Sequence, residues 1–203
     1  NLAVSILNAA VVRMERDEDP GDASRAAVAA CDRALAIHPD LPAALLARGL
    51  ARANQATWDQ DHGRDAAELA RAAEADFDRC LAIDPGSRDA RRERGRLNAN
   101  RGDHLADGKQ DPTAAYRAAL ADFESGLQRR PGDAGLLSCR TRARRSLGRA
   151  RADEGGVEIR AGRYPEARAP YEEAIELLEP AESDRDRGPL GIAHYDLACI
   201  LAL

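Results

Sequence analysis

Three prolines recur at one interval along this 203-residue chain: Pro39, Pro85 and Pro131 are each separated from the next by 46 residues. They close three segments of one design, Ala34-Leu35-Ala36-Ile37-His38-Pro39, Cys80-Leu81-Ala82-Ile83-Asp84-Pro85 and Gly126-Leu127-Gln128-Arg129-Arg130-Pro131. A fourth, Ala174-Ile175-Glu176-Leu177-Leu178-Glu179-Pro180, follows slightly out of step. A fixed period of this size marks a chain built from stacked supersecondary units, none of which can cover its own apolar face.

The residues between the prolines decide what the unit is. Hydrophobic residues make up 44% of the chain but aromatics only 3%, and Ala is so abundant that any core must be packed from small side chains. Ala and Arg favour helices, while the β-branched and aromatic residues of strands are scarce. Ahead of each proline the apolar residues recur at three- and four-residue spacing, as in Ala73, Phe77, Cys80, Leu81 and again Ala119, Phe123, Leu127. The proline disfavours α conformation in the residue before it, and Asp40, Gly86-Ser87 and Gly132-Asp133 behind it are turn formers and helix caps. The helix that follows carries a small residue where two helices must approach closely, Gly49 or Gly95. These signals predict helices over 2–17, 22–38, 42–58, 63–84, 88–106, 112–130, 134–153, 164–179 and 189–203. Turns are expected at 17–22, 59–63, 102–112, 155–162 and 182–188, with Gly155-Gly156 interrupting a long helical stretch.

Gly162-Arg163-Tyr164-Pro165-Glu166-Ala167, followed by Tyr171, Ala174-Ile175 and Pro180, resembles the second-helix pattern of the tetratricopeptide repeat family, and Ala73 with Phe77-Asp78-Arg79-Cys80 matches nearly as well. The resemblance implies an all-α fold, a right-handed superhelical solenoid of antiparallel helix pairs. One domain over 1–203 would hold units at 1–39, 40–85, 86–131 and 132–180 and a partial unit at 187–203. The family's usual period is about 34 residues, so the longer period here implies lengthened helices or a longer turn between them. Thr141 stands where the third such helix would be expected to carry its small crossing residue. Ala75-Asp76-Phe77-Asp78-Arg79 and Tyr195-Asp196-Leu197-Ala198-Cys199 are similar in phrasing to repeat regions found behind serine/threonine kinase domains in GC-rich bacteria, which implies a bacterial signalling context.

A net charge of −5 and a pI near 5.5 give no overall attraction to nucleic acid or anionic lipid. Lys109 is the single Lys among 30 basic residues, an Arg bias that GC-rich coding explains. No stretch reaches the ~18 apolar residues of a membrane span. Cys31, Cys80, Cys139 and Cys199 lack the close spacing of zinc or redox pairs and read as reduced, buried small residues, which fits a cytoplasmic compartment. His38, His62, His104 and His194, three of them at or beside turns, read as solvated residues. The polar cluster Asp59, Asp61, His62 reads as caps and solvent contacts, so no metal is expected. No Gly-rich segment has the Lys-Ser or Lys-Thr ending of a phosphate loop and no carboxylate pair is singled out, so neither a cofactor nor an enzymatic role is expected.

Charge on particular helices carries the functional reading. The stretch 88–101 holds six Arg against Asp89 and Glu93, and 140–151 holds six Arg and no acid, both on the first helix of a unit. In the family the first helices line a groove that takes extended peptides. The resemblance therefore implies that Arg92 and Arg96 with Arg142, Arg145 and Arg149 form basic stripes in such a groove, beside the apolar Leu46 and Leu50. A solvated face whose Arg stems cover Ala-rich surface is the alternative. The function expected is a protein- or peptide-binding scaffold for an acidic, partly aliphatic partner. An RNA-binding solenoid is disfavoured by the acidic pI and by Trp58 being the only Trp. Self-association through the apolar segment from Ile192 to Leu203, which looks like the first helix of a fifth unit, is the third reading. That uncovered end, with the absent initiator Met, makes excision from a longer protein the expectation for the chain itself.

Overall fold

The computed structural model describes residues 2–178 and 188–202, with side chains from residue 7 onward. Among these residues every regular element is a helix: α1 (Leu2–Glu15), α2 (Gly21–Ile37), α3 (Pro42–Asp61), α4 (Ala67–Ile83), α5 (Arg88–Asp107), α6 (Thr113–Arg129), α7 (Ala134–Arg160), α8 (Tyr164–Leu178) and α9 (Gly188–Leu201). The fold is an all-α helical repeat. Pro180, the turn expected at 182–188 up to its last residue, and Leu203 lie outside the described residues.

The 46-residue period is a structural repeat. Helices α3 and α5 have 20 residues each, α2, α4 and α6 have 17 each, and the connecting segments 38–41, 84–87 and 130–133 are of one length. In each of these connections the residue before proline, His38, Asp84 or Arg130, leaves the helix with ψ of 85°, 86° or 80° and still donates its N–H to the carbonyl four residues back. Proline's clash with the preceding residue forbids another helical turn, so one conformation recurs three times. Relative to a 34-residue unit, the extra length lies in the helices, about one and a half turns in each.

The connection within a pair repeats just as closely. Asp17, Gly63 and Lys109 all take positive φ, 58°, 68° and 55°, and Glu18, Arg64 and Gln110 each donate to a carbonyl five residues back. That is a left-handed helix stop, satisfied by a six-to-one hydrogen bond. Two residues later Asp19, Asp65 and Asp111 each accept the N–H that starts the next helix, at 2.8, 3.0 and 2.9 Å. The Arg64 guanidinium and the Gly21 N–H hold the Asp19 carboxyl below the ordinary range, and the Thr113 hydroxyl and N–H do the same for Asp111.

Two compact units, Asn1–Leu97 and Asn98–Leu203, divide the chain within α5. In the first, α1, α2, α3 and α4 pack in sequence, and α1 also touches α3, as expected of antiparallel pairs joined by short turns. A glycine on α3 faces an aromatic ring of α4: a Cβ on Gly49 would lie 2.6 Å from Cε1 of Phe77. Phe77 is fully buried among Ala73, Leu97 and the half-buried Leu46, Leu50, Ala53 and Ala70. In the second unit α6, α7, α8 and α9 pack likewise, with Gly102 against Tyr116 and Gly148 against Leu178.

A buried polar network fastens the first unit. Asp76, 3% exposed, accepts from Nε and Nη2 of Arg48 and from Nη1 of Arg52, the last two at 2.6 and 2.5 Å. Arg48 also reaches Asp32 at 2.6 Å, so one guanidinium ties α3 to both α2 and α4. The same step recurs 46 residues on, where Arg94 pairs with Asp78 at 2.5 Å.

Three expectations need correction. Gly155-Gly156 does not interrupt a helix, because α7 runs unbroken to Arg160 and stops at Gly162, whose φ is 74°. Gly155 occupies the register of Asp17, Gly63 and Lys109, which made it read as a stop. It serves instead as a crossing residue, with a Cβ there lying 2.7 Å from Cε2 of Tyr171. Helix α7 makes close approaches at positions other than Thr141: Gly148, one period on from Gly102, meets Leu178, and Gly155 meets Tyr171. The cysteines are not uniformly buried either. Cys31 and Cys80 are, and burial pushes both thiols up, but Cys139 is half-buried and Cys199 is exposed on α9, where Ala193 is the buried residue.

Candidate functional site

One face of α3 is open beside α1. In α3 that face carries Ala43, Leu46, Leu50 and Asn54, spaced by three and four, and α1 brings Leu7, Asn8 and Val11 opposite. Between them lies an open groove of about 300 Å³. Its floor is aliphatic: Leu7 is buried, Leu46 and Leu50 are half-buried, and Val11 is 41% exposed. Asn8 and Asn54 supply its amides. The arginines of α3 turn the other way, Arg48 and Arg52 being spent on Asp76, so the groove is uncharged along α3.

Of the sites expected from sequence, Leu46, Leu50, Arg92, Arg96 and Arg142 hold this register in successive first helices, and Arg145 and Arg149 do not. Leu46 and Arg92 are one period apart, as are Leu50, Arg96 and Arg142. Arg92 and Arg96 flank Glu93, which is buried and accepts from Arg92 Nε at 2.9 Å and Arg96 Nη1 at 3.0 Å, so part of the expected positive charge is neutralised within α5. Arg142 donates to Asp103 at 2.5 Å, and the buried Tyr116 hydroxyl donates to the other oxygen of that carboxylate at 2.7 Å. Burial, with Asp103 beside it, raises the Tyr116 hydroxyl above its usual range. Arg145 is half-buried and Arg149 exposed. Of the other arginines of α7, Arg144 caps α8 by donating to the Glu176 carbonyl at 2.9 Å, and Arg151 pairs with Glu173 at 2.7 Å and with Glu154. The stretch 140–151 is thus much less of a free basic patch than its composition suggests.

Sequence reasoning missed the amides of Asn8 and Asn54. Asn8, Asn54 and Asn100 stand 46 residues apart, a signal available in the period. Asn8 and Asn54 flank the groove of the first unit, and Asn100 holds the same register on α5. It also missed the pairing of Asp103 with Tyr116, which no spacing rule announces. Among the described residues no group of three or more His, Cys, Asp or Glu side chains is placed to hold a metal ion, and no helix is long and apolar enough to cross a membrane. His62, expected to be a solvated turn residue, is exposed but engaged: its ring stacks on Trp58 at 3.9 Å and its Nδ1 lies 2.8 Å from the Trp58 carbonyl oxygen. Asp59, expected to be a cap, is buried within α3 and pairs with Arg64 at 3.3 Å.

No family model matches this chain, and no curated protein matches it. A solved structure, that of Pseudomonas aeruginosa pilF, is similar over 98% of this chain and 68% of its own, at 16% identity and a TM-score of 0.36. At that level the fold assignment rests on the helix pairs and their repeated turns.

Proposed function

We propose that the protein is a polypeptide-binding scaffold whose first-helix faces take an extended segment of a partner. The observation that carries this reading is the open aliphatic groove between α1 and α3, with an amide contributed by each wall. Aliphatic side chains of the partner would enter between Leu7, Leu46 and Leu50. The amides of Asn8 and Asn54, which can both donate and accept, would hold its backbone N–H and C=O groups. Arg92 and Arg96, which hold the register of Leu46 and Leu50 on α5, favour a partner that also carries acidic residues.

The test is selection from a displayed random-peptide library followed by affinity measurement on the selected sequences. Selected peptides should carry at least one aliphatic anchor, and Leu46→Glu with Leu50→Glu should weaken them by tenfold or more, since a carboxylate would then sit in the apolar groove. Helix content should be unchanged. Peptides whose affinity ignores that double substitution would remove the groove assignment.

A second observation favours a further reading, self-association through α9. Ile192, Tyr195 and Leu201 are 60%, 71% and 61% exposed on a helix that buries Ala193. Light scattering should report a concentration-dependent mass that Ile192→Lys with Tyr195→Lys reduces to the monomer's; a monomer before substitution removes this reading.

A further inference from the structure

A further cavity lies away from the α1–α3 groove and from the exposed residues of α9. It is a cleft of about 980 Å³ in the second unit, between the α5–α6 turn and the C-terminal part of α7. Its existence follows from a comparison inside the chain. The first unit has the same two elements, the α1–α2 turn and the end of α3, and there side chains meet across them. Trp58, 6% exposed, stacks on His62; His62 Nε2 lies 3.8 Å from Asp17, and Arg64 donates to Asp19 at 3.0 Å. Two periods on, the positions of Trp58, His62 and Arg64 are held by Ala150, Glu154 and Gly156. The indole has become a methyl group and the arginine nothing. Glu154 turns to Arg151 in its own helix instead of crossing to the turn. Because α7 continues to Arg160, where α3 ends at Asp61, the cleft also gains a longer wall that carries Val157, 50% exposed.

The lining has a definite chemistry. Ala106, Pro112, Ala150 and Val157 supply its apolar surface, the carboxylates of Asp111, Asp153 and Glu154 also line it, and the guanidiniums of Arg117 and Arg151 stand within it, both paired with Glu173 at 2.7 Å. Burial works against the Glu173 carboxylate, yet the hydrogen bond from Arg117 and the charge of Arg151 hold its pKa below the ordinary range, so the two cations and Glu173 form a fixed ionic wall. Lys109, raised on the left-handed turn, and Arg160 stand exposed at the rim. A flat apolar group fits between such walls, because it fills the volume that Trp58 fills in the first unit and presents a ring face to guanidinium planes.

From this we propose that the cleft is a second docking site, for a partner segment that inserts an aromatic side chain, Trp foremost, with acidic residues beside it pairing with Lys109 and Arg160. The site is independent of the α1–α3 groove and would stand if that groove bound nothing. The aromatic anchor supplies the affinity, and the rim charges supply a salt-sensitive increment.

The probe is a fluorescein-labelled, end-capped pentapeptide with a central Trp flanked on each side by two Asp, compared with the same peptide carrying a central Ala. Fluorescence anisotropy on the whole chain should give the Trp peptide an affinity about tenfold above the Ala peptide. Ala150→Trp, which copies the first unit, should abolish the preference by filling the cleft. Lys109→Glu with Arg160→Glu, both on exposed side chains, should weaken the Trp peptide several-fold with a smaller loss at high salt, while Leu46→Glu with Leu50→Glu should leave it unchanged. Equal binding of the Trp and Ala peptides, no binding of either, or a Trp preference that survives both cleft variants would overturn the proposal.

Discussion

Replacing Phe77 with Ala should lower the free energy of unfolding by about 3–5 kcal/mol, read as a fall in the urea midpoint. Phe77 is fully buried between α3 and α4, its ring filling the space left by the absent Cβ of Gly49. Truncation removes the ring from that crossing and opens a cavity under Leu46 and Leu50, which pack on the same cluster. Helix ends fixed by prolines and left-handed stops cannot slide to close it, so collapse recovers little. The reverse change is informative as well. Gly49→Ala alone should destabilise, because its Cβ would meet Phe77 Cε1 at 2.6 Å, whereas Gly49→Ala in the Phe77→Ala background should cost less or nothing. Additive effects of the two substitutions would show that the crossing is not a direct glycine–ring contact.

That crossing also shows how much of the fold can be read from sequence. The spacing of Ala73, Phe77 and Cys80, the three prolines, and the placement of Gly49 are local facts with local causes, and the helices they predict agree with those observed to within a few residues over most of the chain. The repeated left-handed stop at Asp17, Gly63 and Lys109 was equally present in the 46-residue spacing. It is hidden in a residue-by-residue reading because only one of the three is a glycine. Gly155 is the converse: it holds the stop's register and reads as a turn, yet its neighbour across the pair is Tyr171, and a ring that needs a missing Cβ outweighs a cost of about 1 kcal/mol for glycine within a helix. The candidate site was legible as a register, since Leu46, Leu50, Arg92, Arg96 and Arg142 are related by the period. Its charge was not, because whether an arginine is open or consumed depends on partners such as Asp103 and Glu173, 39 residues from Arg142 and 56 from Arg117.

The Asp76 network provides the second large effect. Asp76→Ala should destabilise by about 3 kcal/mol, the lower end for losing one partner of a buried ion pair, because Arg48 and Arg52 keep side-chain exposures of 18% and 22% and water can reach part of each guanidinium. The cost lies mainly in two cations left without their acceptor and much less in the pair's own attraction. Removing the charges together separates these contributions. A triple variant, Asp76→Leu with Arg48→Met and Arg52→Met, should recover most of the loss, since apolar side chains of similar volume can fill the space and Asp32, 49% exposed, can be solvated alone. If the triple variant is as unstable as Asp76→Ala, the network contributes through specific hydrogen-bond geometry between α2, α3 and α4. The arginine recurring at position 94 with Asp78 would then be a required element of each repeat, not a tolerated one.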